Sequence, residues 1–169
     1  MKLIKSFILA ILLNYIFLSI SNGEIIKKIE VEGNNRISDE IIVMFSDIDQ
    51  GQDINNFEIN EIIKNLYETN FFNNVSVTLE NNKILIIVDE APLIENIIIS
   101  GVKAKKNQKL IRENLTLKAR SSFNDFQLLQ EVNIIESTVK SLGYYFAKVE
   151  PFIETLENNM INIEYKVDL

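Results

Sequence analysis

The chain has 169 residues, with 17 Lys and Arg against 24 Asp and Glu, a net charge of -7, and neither Cys nor His. That balance argues against wrapping a nucleic-acid backbone, whose phosphates need clustered Lys and Arg to replace condensed counterions. It also removes disulfide stapling, the commonest metal ligand and the commonest general base, so catalysis would have to rest on carboxylates, Lys, Tyr or Ser.

Residues 1–23 read as an export signal. Lys2 and Lys5 give a positive start, Phe7 to Ile20 an apolar core, and Ser21-Asn22-Gly23 the small residues a signal peptidase reads, so cleavage is expected between Gly23 and Glu24. The apolar run is shorter than the roughly 18 residues that span a bilayer and is broken by Asn14. The rival reading retains Met1 to Ile20 as a membrane anchor.

Ile29-Glu30-Val31-Glu32-Gly33 alternates apolar and polar residues and stops at glycine, the pattern of a short strand. Ser38-Asp39-Glu40 followed by Ile41, Ile42 and Phe45 opens a short helix, with the acids where the helix dipole favours them. After a break at Asp47 to Gln52, Ile59, Ile62, Ile63, Leu66 and Tyr67 recur at helical spacing over Phe57 to Asn70. A hairpin follows, in which Val75, Val77 and Leu79 alternate with polar residues, Asn81-Asn82 turns the chain, and Ile84 to Val88 is apolar on both faces. Such a strand belongs in the middle of a sheet.

Asp89-Glu90-Ala91-Pro92 marks a boundary, after which the order recurs from Ile97-Ile98-Ile99-Ser100-Gly101. A short helix is predicted over Asn107 to Leu117 and a long one over Phe123 to Leu142, with Phe126, Leu129, Val132, Ile135 and Val139 along its apolar side. Gly143 stops it, an edge strand containing Pro151 follows, and Ile161 to Leu169 closes the unit. The predicted fold is α+β: two tandem β-α-α-β-β repeats, 24–91 and 92–169, each a three-stranded mixed sheet covered on one face by two helices, with the third strand central.

The ordered set Ile29 to Ile37, Thr69 to Val77, Asp89 to Ile94, Ile97 to Gly101 and Gly143 to Val149 resembles the polypeptide-transport-associated (POTRA) repeats of the BamA outer-membrane assembly factor family. The resemblance implies a non-catalytic module at the periplasmic face of the bacterial outer membrane, with no cofactor and no metal. Implied partners are unfolded outer-membrane β-barrel proteins, assembly-complex lipoproteins or periplasmic chaperones, and a C-terminal β-barrel if these residues belong to a longer chain. The alternative is a membrane-tethered scaffold or spacer in a secretion or cell-division complex.

An open strand edge offers unpaired backbone groups to which an extended client adds by β-augmentation. The expected docking edges are Asn74, Val75, Ser76, Val77, Thr78 and Leu79 in the first unit, and Ala147, Lys148, Val149 and Glu150, running on to Phe152, in the second. Pro151 lacks a donor, which favours the first unit. Leu85 and Ile87 should point away from the helices, toward a partner or the neighbouring repeat, and Phe71-Phe72 should anchor the passage from helix to strand. The pairs Asp39/Glu40 and Asp89/Glu90 come with no calcium-loop spacing or nucleophile elbow; Glu90 reads as structural at the junction. Lys103-Ala104-Lys105-Lys106 reads as a solvated loop.

Overall fold

The computed structural model describes residues 24–169, so the expected export signal at 1–23 lies outside the described residues. In chain order the first repeat contains β1 (Glu24–Ile25), β2 (Lys28–Glu32), α1 (Asp39–Ser46), β3 (Asp53–Ile54), α2 (Asn56–Glu68), β4 (Phe72–Glu80) and β5 (Lys83–Glu90). The second contains β6 (Leu93–Ser100), α3 (Lys105–Asn114), α4 (Asp125–Ser141), β7 (Lys148–Leu156) and β8 (Met160–Asp168).

Local chemistry sets the boundaries. Asn55 caps α2 by accepting from the Phe57 amide at 2.7 Å, while the Glu58 carboxylate accepts from the Asn55 amide at 2.9 Å, a reciprocal capping box. Asn81 and Asn82 have φ of 53° and 64°, and Asn158 and Asn159 have 59° and 53°, so each hairpin turns on an Asn pair that tolerates the left-handed region.

The sheets run β2-β5-β4 and β6-β8-β7. The central strands β5 and β8 pair parallel with β2 and β6 and antiparallel with their hairpin partners β4 and β7, giving the mixed sheet expected. The helices cover one face: Ile42, Ile62, Leu66, Ile84 and Ile86 are buried in one core, and Ile111, Leu117, Ile135, Ile163 and Tyr165 in the other. The pairing of β1 with β3 is an addition that the sequence did not announce.

Where β2 and β6 end, a glycine lies against the central strand. A Cβ on Gly33 would come 2.1 Å from the Val88 carbonyl oxygen, and one on Gly101 would come 1.7 Å from that of Val167.

Helix α4 corrects the predicted apolar side. Phe126 and Leu129 are 68% and 63% exposed, and the buried face is Leu128, Glu131, Ile135 and Val139. Repeated steps of three residues drift about 60° per step around a helix, whereas alternating steps of three and four stay on one face. Following the face from Val139 through Ile135 leads to Glu131, a charge that pattern reading steps over. The same carboxylate shortens α3, which ends at Asn114 instead of Leu117: Glu131 accepts from the Thr116 and Leu117 amides, both at 2.6 Å, and draws them out of helical bonding.

Candidate functional site

Strands β4 and β7 both lie at sheet edges, as the docking hypothesis requires. What β4 presents follows from one contact. The Val75 amide donates to the Tyr67 hydroxyl at 3.1 Å, so it faces away from β5. Register is unbroken from Asn74 to Glu80, and backbone direction alternates along an antiparallel strand. The outward groups are therefore those of Val75, Val77 and Leu79, while the amides of Asn74, Ser76 and Thr78 face the ladder. Tyr67 in turn donates to Asn74 Oδ1 at 3.2 Å, closing one end of the edge. Val77 and Leu79 keep the donors that face solvent.

In the second repeat the edge is poorer. Ala147 is a correction: it precedes β7, is buried, and donates to the Tyr144 carbonyl at 3.2 Å in a turn. Lys148, Val149 and Glu150 are in the strand. The Val149 amide faces the Glu136 carboxylate, whose pKa is held below its ordinary value by Lys140 at 3.0 Å first, with that amide and Lys148 contributing. Pro151 shares the outward phase of Val149 and has no N–H. Donors remain only further along, at Ile153 and Thr155.

On the open sheet face of the first repeat, Ile87 is 42% exposed and Leu85 half-buried. Beside them Glu30 pairs with Lys28 and Lys83, each at 2.6 Å, and the two ammonium groups lower its pKa to about 2. Phe71 packs edge-on against Phe45 at 5.8 Å, and Phe72 is buried, as expected of an anchor.

The junction centres on Glu90. One carboxylate oxygen accepts from the amides of Asn35, Arg36 and Ile37, each at 2.9 Å, and Arg36 Nε lies 3.5 Å from the other. Across the junction, Asn159 donates to the Glu90 carbonyl at 2.8 Å and Asn124 to Asn70 Oδ1 at 2.9 Å.

This architecture, repeated and fused at Ala91-Pro92, has a family counterpart. The POTRA family, described as a surface antigen variable number repeat, matches residues 24–91 and again 92–168. The chain belongs to the POTRA family. Among curated relatives it is 28% identical over 145 residues to the outer membrane protein assembly factor BamA of Neisseria meningitidis, covering 85% of this chain and 18% of that protein. It is 25% identical over 173 residues to BamA of Buchnera aphidicola, covering 98% and 27%. The match thus spans about a quarter or less of those relatives. The fold is similar to that of POTRA1-2 of the periplasmic domain of Omp85 from Anabaena, with a TM-score of 0.51 and 16% identity over 83% of this chain and 93% of that one.

Sequence reasoning located the POTRA edge strands but missed the side chains that bond their outward amides. Tyr67 counted only as part of the apolar stripe of α2, and Glu136 carried no distinguishing pattern. The one available signal for Tyr67 was a phenol near the helix end, since its hydroxyl needs a partner when the ring packs.

Proposed function

We propose that these repeats form a periplasmic module of an outer-membrane protein assembly machine, capturing extended segments of unfolded β-barrel clients by β-augmentation. Capture is assigned to β4, at the outward groups of Val77 and Leu79, with β7 secondary. The reading includes export, with cleavage between Gly23 and Glu24, and the division of the chain into a signal and repeats at 24–91 and 92–169. Lipoproteins, periplasmic chaperones and a β-barrel are its further partners.

The observation that carries this reading is the phase of β4: the outward backbone is that of the residues whose side chains face the core. Main-chain bonds at these outward groups do not depend on client sequence, so side chains on either face only tune the pairing. Each such bond contributes about 0.5–1.5 kcal/mol net, so a few bonds give reversible capture. Family membership and the BamA names of the relatives support the setting.

Val77→Pro removes an outward donor without breaking a ladder bond. We expect it to weaken a β-strand peptide by about two- to tenfold in an NMR titration, with Val77→Ala as the control for lost side-chain packing. Equal binding by both folded variants would overturn pairing at β4.

A further inference from the structure

Strands β2 and β6 are also sheet edges, and between each and the first helix of its repeat runs a groove. The two grooves occupy equivalent places but have opposite chemistry. Ile42 of α1 and Ile111 of α3 are the fully buried residues that align the two helices. The next residue is Val43 in one and Arg112 in the other, and seven positions beyond the isoleucines stand Asp49 and Lys118. Ile29 and Ile97 are the matching strand residues, each four positions before the glycine that ends its motif.

In the second repeat the chain's own cations line the groove and bond its carbonyls. The Arg112 guanidinium donates to the Ile97 carbonyl at 2.9 Å, on the outer side of β6, and Lys118 donates to the Leu115 and Arg112 carbonyls at 2.5 and 3.2 Å. In the first repeat, the groove of about 620 Å³ has Ile29, Val43 and Ile48 in its lining and no Lys or Arg. Asp39, Glu40, Asp47 and Asp49 border it, and Met44 is 64% exposed at its mouth. Val43 stands where the arginine would, so by the same alignment the outer Ile29 carbonyl is left without the guanidinium that Ile97 has.

We propose that this β2–α1 groove is a second docking site, selective for an extended polypeptide segment with Arg or Lys at alternate positions. Such a segment supplies in trans what Arg112 supplies in cis: a cation whose apolar stem lies on Val43 and Ile48 and whose head donates to the Ile29 carbonyl. The bordering carboxylates attract the cations and reject acidic competitors, giving specificity beyond what main-chain pairing alone provides. The site is separate from the β4 edge, which lies on the other side of the sheet.

The test titrates the protein, followed by amide NMR shifts, with an alternating Arg-Val hexapeptide, its Glu-Val counterpart and a neutral Thr-Val hexapeptide. Shifts centred on Lys28 to Glu32, Val43 and Asp49 with the basic peptide alone are expected, weakening as salt is raised. Asp49→Lys, a surface change, and Val43→Arg, which installs the residue of the second repeat, should each weaken the basic peptide more than tenfold. Neither should alter Thr-Val shifts at Val77 and Leu79. Unchanged basic-peptide affinity in Asp49→Lys, equal binding of the acidic peptide, or shifts confined to β4 would each overturn the proposal. Loss of the Thr-Val response alone would instead count against the β4 reading.

Discussion

Gly101→Ala is expected to destabilise the protein by on the order of 3–5 kcal/mol, a large share of the stability of an ordinary domain. Two costs combine. The residue has φ of +85°, where a side chain is strained, and the added Cβ would meet the Val167 carbonyl oxygen at 1.7 Å, which only a shift of the central strand can relieve. Gly51 separates them: its φ is +91°, yet nothing lies within 4 Å of a Cβ built there, so Gly51→Ala should cost only about 1–2 kcal/mol. Urea denaturation of the two variants checks the difference. Equal losses would mean that the close approach of β6 to β8 carries no weight.

Removing Glu131 has a comparable effect for a different reason. The residue is fully buried in α4, accepts from the Thr116 and Leu117 amides, and receives the hydroxyl of Tyr165 on its other oxygen. Glu131→Ala leaves three donors without a partner in a core that excludes water, an expected loss of about 3–5 kcal/mol. Glu131→Gln keeps an acceptor for the amides and should lose about half as much. Burial first, and Glu131 second, push the Tyr165 phenol well above its ordinary pKa. In Glu131→Gln the alkaline titration of that phenol should therefore move part of the way back down. A double-mutant cycle with Tyr165→Phe measures the coupling, and additive losses would show that the hydroxyl and the carboxylate act independently.

The contrast between these two residues shows what was legible in the sequence. Gly101 ends an alternating run that repeats the one at Gly33, and both the turn and the repeat are local signals. The same holds for the Asn-Asn hairpin and for the central strand, whose two apolar faces announce its place. Glu131 is the opposite case. Its burial depends on amides 14 and 15 positions away and on a tyrosine 34 positions away, so no window of sequence displays it. Phe126 and Leu129 were placed inward because the true stripe passes through a charge. The two-residue strands β1 and β3 are too short to carry any alternation. At the docking edge, Val75, Val77 and Leu79 were readable as core side chains. Which way their amides point was settled only by a hydroxyl from the preceding helix.

The parallel pairing of β2 with β5, and of β6 with β8, bears on force. β2 leads into the first repeat's helices and β6 into the second's, and each lies side by side and in the same direction with the central strand that ends its repeat. Tension along the backbone thus pulls them past each other in shear, loading the bonds of the ladder together instead of opening them one at a time. Each repeat is then a clamp that resists tension applied between the start of its parallel edge strand and the end of its central one.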